Sequence, residues 1–206
     1  MKLLKRIAAF TLVELLVVIS IIAILASLAL PAITGAMVRG QMTQTLSNIK
    51  QLHLVTQQMS IDSATTGDTN LGWPGDMPSP SWATWSGNIV SNNYMSTNDF
   101  AKMVSAPGVT APLNTDPTAL TPGTKSGRAI LLYSVSDTNS MDTVLISTSN
   151  FTNSASGGTK PITAALPYSD KGFVVFRKGG DGIVLKANQA GGTYTNVIGG
   201  FSALLN

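Results

Sequence analysis

"KRIAAFTLVELLVVISIIAILASLALP", Lys5 to Pro31, is the stretch that decides how this chain is read. Twenty-one residues run from Phe10 to Leu30, and only Thr11, Glu14, Ser20 and Ser27 interrupt an otherwise apolar sequence. As an α-helix rising about 1.5 Å per residue, the run spans roughly 30 Å, which matches the hydrocarbon core of a bilayer. Lys2, Lys5 and Arg6 precede it. The positive-inside bias keeps that end in the cytoplasm and carries the bulk of the chain across. Glu14 is the anomaly, because a carboxylate at the centre of a membrane helix costs ~2–3 kcal/mol, and less near an end.

Two plain readings leave Glu14 unexplained. A secretory signal has an apolar region of about 7–15 residues and then a small-x-small cleavage site. Ser27-Leu28-Ala29 fits that site loosely, but the run is too long. An uncleaved anchor accounts for the length alone. Glu14 makes sense once it has a partner. A cut between Ala9 and Phe10 leaves a new α-amine on Phe10, with Glu14 the fifth residue after the cut. Along one helix the two groups meet only if the helix bends. The carboxylate can instead pair with the amine of an adjacent copy displaced along the axis. In a low-dielectric environment such a pair is strong and an unpaired carboxylate is penalised, so the pairing sets register between identical helices.

"FTLVELLVVISIIAILASLALP" strongly resembles the N-terminus of type IV prepilins and of the pseudopilins of type II secretion systems. The resemblance covers the basic leader, the Phe after the cut, the Glu five residues in, the apolar run and Pro31. It implies that residues 1–9 are a leader, that prepilin peptidase cuts between Ala9 and Phe10, and that Phe10 is N-methylated. It also implies an inner-membrane subunit with its head outside the cytoplasm. That subunit joins others at an assembly platform to form a periplasmic or extracellular filament. Pro31 is the twenty-second residue after the cut, where many members carry a helix-kinking proline. One departure is Ala9, since the family usually has Gly there. The resemblance covers about the first quarter of the chain and says little about the head.

Beyond the span (residues 10–30) an amphipathic continuation is expected over residues 31–61. Met42, Leu46, Ile49, Leu52, Val55 and Met59 recur at three- or four-residue steps. Pro31, Gly35 and Gly40 mark where the helix bends or, alternatively, where the membrane helix ends. His53 is the only histidine and has no Cys or acidic cluster nearby, so it reads as a surface or stripe-edge residue.

Residues 62–206 form the head. Its first part, Asp62 to Asn88, is rich in Gly, Pro, Ser and Thr and reads as a long loop holding Trp73, Trp82 and Trp85. These indoles either offer a partner-binding surface for glycan, DNA or protein, or anchor an irregular loop to helix and sheet. Calcium is the one cofactor with candidate ligands, Asp62, Asp68 and Asp76, at no EF-hand spacing. Pseudopilin resemblance would place calcium near "KGGDGIVLKANQAGG", where Asp181 is the sole carboxylate, so that site is not carried over. "STNDFAKMVSAPG" predicts a short helix capped by Ser96, Thr97 or Asn98. "RAILLYSVS" with "DTVLISTSNF", and "GFVVFRK" with "GIVLKAN" around "GGD", predict two hairpins. Tyr194 to Ile198 adds an edge strand. The expected fold is α+β and pilin-like: a long N-terminal helix on an antiparallel sheet of four or five strands. The head divides into a connector (62–127) and a sheet (128–206).

Composition narrows function. The net charge is +3, but without Lys2, Lys5 and Arg6 ten basic residues face ten acidic ones. The basic balance therefore describes the leader, and no nucleic-acid partner is expected. There is no cysteine, and the lone Glu lies in the membrane run. No G-x-S-x-G, H-E-x-x-H or phosphate-loop pattern occurs, so no enzyme is expected. The residues point to a structural filament subunit, with a membrane-tethered binding module using the Trp-rich loop as the alternative. They do not separate an extracellular pilus, a secretion pseudopilus and a DNA-uptake fibre.

Overall fold

The computed structural model describes residues 11–154, 158–161, 166–186 and 203–205. The chain divides into two compact units, Met1–Arg39 and Gly40–Asn206. Helix α1, Leu12–Thr66, begins in the first and ends in the second. It continues through Pro31 and runs five residues past Ile61, so the membrane helix does not end at the proline. Pro31 lacks the N–H that would reach the Ser27 carbonyl, but the apolar residues on both sides are good enough helix formers to carry the ladder past one missing bond.

Within the head unit, α1 buries Met42, Thr45, Ile49, Leu52, His53, Thr56 and Met59. This is the expected stripe with a shift. Leu46 and Val55 are only half-buried, while Thr45, His53 and Thr56 go inside. Each of these polar residues has a partner. Thr45 Oγ1 lies 2.6 Å from the Tyr168 hydroxyl, and Thr56 Oγ1 donates to the Leu52 carbonyl at 2.9 Å. A helix face that finds such partners can bury hydroxyls at little cost.

The helix covers a five-stranded antiparallel sheet built from β1 (Ile130–Tyr133), β2 (Val144–Thr148), β5 (Phe173–Arg177), β6 (Gly182–Leu185) and β7 (Leu204–Leu205). Its order is β6-β5-β2-β1-β7. Both predicted hairpins form. β1 pairs β2 with Ile130 opposite Thr148, and β5 pairs β6 with Val175 opposite Ile183. The "GGD" turn closes as the Arg177 N–H donates to the Asp181 carbonyl at 2.9 Å, with Gly180 at φ 90° where a side chain would be strained. Two features differ from expectation. The run through Phe151 is not one strand: β2 stops at Thr148, and β3 (Phe151–Ser154) pairs with β4 (Gly158–Pro161) in a separate ribbon. The neighbour of β1 on its free side is β7, while the expected strand Tyr194–Ile198 lies outside the described residues.

Gly182 shows how closely α1 sits on the sheet. A Cβ there would collide with Leu46 Cδ1 and come within 2.6 Å of the Phe176 ring. Gly182→Ala is expected to destabilise the head by about 1–3 kcal/mol, as overpacking does. Denaturant unfolding checks this, and an unchanged midpoint would contradict the packing of Leu46 over β6.

The connector is more regular than its composition implied. Residues 67–81 are irregular, but α2 spans Trp82–Ser91 and α3 spans Thr97–Met103. Ser81 caps α2, its Oγ accepting from the Thr84 N–H at 3.0 Å. Ser96 does the same for α3 from the Asp99 N–H at 3.1 Å, as its sequence predicts.

Candidate functional site

The candidate site is the beginning of α1. Every described residue from Thr11 to Met37 is exposed, and Leu12 is 78% exposed. A continuous exposed apolar surface of this size is what a membrane or a protein partner covers. By length and composition, α1 is the one helix among the described residues fit to cross a membrane. The hydroxyls inside the run are satisfied locally. Ser20 donates to the Val17 carbonyl and Ser27 to the Ile24 carbonyl, both at 2.8 Å, and Thr34 donates to the Pro31 carbonyl at 3.0 Å. No hydroxyl in the run needs water, as an apolar solvent requires.

Glu14 is held in a reciprocal cap. The Thr11 N–H and Thr11 Oγ1 both donate to Glu14 Oε2 at 2.8 Å, and the Glu14 N–H returns a bond to Thr11 Oγ1 at 3.2 Å. This is a capping box, with Thr11 at the cap and Glu14 three residues on. The pattern T-x-x-E stands in the sequence, so the cap was readable there. Both Thr11 bonds fall on Oε2, and among the described residues Oε1 accepts no hydrogen bond. A carboxylate accepts about four bonds, so among the described residues Glu14 is half-satisfied.

The remaining expected site residues fall elsewhere. Ala9 and Phe10 lie outside the described residues, as does the rest of the leader. Pro31 lies inside α1. The three tryptophans do not form a surface. Trp73 is 6% exposed, Trp82 2% and Trp85 0%, which favours the anchor reading over the partner-binding one. Trp82 and Trp85 sit on α2 with ring centroids 5.3 Å apart, and both meet Phe100 of α3 at under 6 Å. Their indole N–H groups donate inward, Trp82 to the Pro117 carbonyl at 2.8 Å and Trp85 to Thr56 Oγ1 at 3.1 Å. Arg128 stacks on Trp82 at 3.8 Å from inside the core, where burial lowers its guanidinium pKa to about 10. The indoles are anchors.

His53 is also inside, 2% exposed, and is corrected from a surface or stripe-edge residue. Its Nε2 lies 2.7 Å from the Lys178 carbonyl. The three candidate calcium ligands, Asp62, Asp68 and Asp76, and the Asp181 that was not carried over, all make local bonds. Asp62 accepts from Tyr94 and Gln58, Asp68 from Asn70, Asp76 from the Asp137 N–H, and Asp181 pairs with Arg177 at 2.8 Å. Among the described residues no three acidic or histidine side chains gather as metal ligands. Asn150, in the formal sequon Asn150-Phe151-Thr152, is buried and its Nδ2 donates to the Ser169 and Gly172 carbonyls.

Comparison with known proteins bears on the same segment. A family described as the prokaryotic N-terminal methylation motif matches residues 4–30. Over that segment the chain is similar to type IV prepilins. The type IV major fimbrial protein FimA of Dichelobacter nodosus is 33% identical over 66 residues, 32% of this chain and 42% of that protein. A probable minor fimbrial protein of the same organism is 40% identical over 62 residues, 30% of this chain and 39% of that protein. The chain thus spans about two fifths of the length of these curated relatives. No solved structure matches it. The prepilin resemblance rests on the N-terminal motif, and the α+β head with its long helix on a five-stranded sheet is pilin-like.

Proposed function

We propose that this chain is a structural subunit of a type IV pilus-like filament. Prepilin peptidase cuts between Ala9 and Phe10, Phe10 is N-methylated, and the mature subunit waits in the inner membrane with its head outside the cytoplasm. An assembly platform then adds it to other subunits through α1. The observation that carries this reading is Glu14: a carboxylate in an exposed apolar helix, with one oxygen bound by Thr11 and the other accepting no hydrogen bond among the described residues. In the filament that second oxygen receives the Phe10 amine of a neighbouring subunit. Both named relatives are fimbrial proteins, which supports a pilus over a secretion pseudopilus. No chemistry is required of the head, whose role is to cover the filament surface.

Processing tests the first step. Ala9→Arg places a large cation where the family carries a small residue, and is expected to leave the precursor uncut. Its mass should then stay at that of the full chain, and a mature mass unchanged from wild type would contradict a cut at this bond. The chain should also be recovered in filaments sheared from cells, and its absence from that fraction while mature protein is present in membranes would contradict the assembly step.

A further inference from the structure

The single histidine lies at the joint between the stem helix and the sheet. His53 projects from α1 against the β5–β6 turn, with Phe176 at 5.1 Å and Trp73 at 6.0 Å between ring centroids. A carbonyl only accepts, so the 2.7 Å contact with the Lys178 oxygen requires the proton on Nε2. With Nε2 carrying that proton, protonation of the neutral ring occurs at Nδ1. Lys178 is itself buried, 2% exposed. Its ammonium lies 5.3 Å from the Trp73 ring and donates to the backbone carbonyls of Asp137 and Asn139. Its own N–H donates to the Thr143 carbonyl, and the Gly179 N–H to the Met141 carbonyl, both at 2.8 Å. One turn therefore links the stem helix, through His53, to the loop of residues 136–143.

We propose that His53 makes this joint acid-sensitive: protonation loosens the β5–β6 turn and the 136–143 loop from the stem helix. The charges around the ring do not accommodate a second cation. The Lys178 ammonium already lies 5.3 Å from the Trp73 ring, whose centroid is 6.0 Å from that of His53. Of the nearby carboxylates, Asp181 is committed to Arg177 at 2.8 Å, and Asp137 is exposed and 3.8 Å from the Lys178 ammonium. Asp76 receives the Asp137 N–H. The stem helix itself carries no charged residue between Lys50 and Asp62. Burial pulls the His53 pKa below its usual 6.5, more than the Lys178 carbonyl and the distant Asp181 raise it. The sign follows. An opened joint binds the proton at the usual value and the closed joint only at a lower one. Stability is full above pH 6.5 and falls as pH drops from there toward the closed-state value.

Amide hydrogen exchange on the full chain in detergent micelles tests this. Between pH 7 and pH 5, after correction for intrinsic rates, protection of the Lys178 and Gly179 amides is expected to fall. In His53→Gln, whose side-chain amide can still donate to the Lys178 carbonyl, the fall is expected to be absent. An equal fall in both proteins, or none in the wild type, would overturn the proposal. The wild-type His53 ring resonance gives an independent reading, unique because it is the only histidine. It should titrate below 6.5, and titration at or above that value would overturn the proposal even if the Gln variant fails to fold.

Discussion

Glu14→Ala is expected to leave the protein in the membrane and remove it from filaments. Insertion depends on the apolar run from Leu12 to Leu30, and losing a carboxylate from that run relieves ~2–3 kcal/mol at most. The variant also loses the capping box with Thr11, worth about 0.5–2 kcal/mol at the helix end, which frays the first turn without expelling the helix. Assembly is another matter. In the filament each Phe10 amine would face a neighbour's methyl group instead of a carboxylate. Removing one partner of a buried pair costs about 3–5 kcal/mol, which is more than about a hundredfold per contact at ~1.4 kcal/mol for each factor of ten. Quantitative immunoblotting of sheared filaments against total membranes reads this directly. Thr11→Val, which removes the hydroxyl donor but keeps the carboxylate, should assemble far better than Glu14→Ala. Wild-type incorporation of Glu14→Ala would refute the pairing.

The second large effect is in the head. Trp85→Ala is expected to cost about 3–5 kcal/mol of stability, the usual range for truncating a buried aromatic. Trp85 is fully buried, packs against Trp82 and Phe100, and ties α2 to the stem through Thr56. Trp85→Phe keeps most of the packing and forfeits chiefly the hydrogen bond, so a loss near 1 kcal/mol is expected. Thr56 retains its bond to the Leu52 carbonyl in both variants. Denaturant unfolding of the full chain in detergent measures these differences. A loss within about 0.5 kcal/mol, as for an exposed residue, would restore the indole as a surface group.

The parts of the fold that were legible in sequence are those with strong local periodicity. The apolar run gave the start of α1, and the three- and four-residue steps from Met42 to Met59 gave its buried face. Short β-rich runs around "DTNSM" and "GGD" marked both hairpins, though not their register. The misses share a cause: long-range contact reverses what composition suggests. Trp82, Trp85 and Ile89 recur at helical spacing behind a Ser cap, but the surrounding Gly, Pro and Ser hid α2. His53 was placed outside because it is polar. It goes inside because a carbonyl 125 residues away accepts a hydrogen bond from its ring. The two-residue strand β7 exists only by pairing with Leu132 and Tyr133, which no local pattern announces. At the candidate site the charge of Glu14 was read and its cap was not, although Thr11 stands three residues before it. The cap means that Glu14 has one oxygen already bound by its own chain.

Mass spectrometry of the intact protein and its N-terminal peptide, on material from native membranes, tests the processing on which all of this rests. The expected result is a chain beginning at N-methylated Phe10. A chain beginning at Met1 or Lys2 would make the segment a plain anchor, and one beginning near Leu30 would make the head a secreted domain. Either would contradict assembly through Glu14.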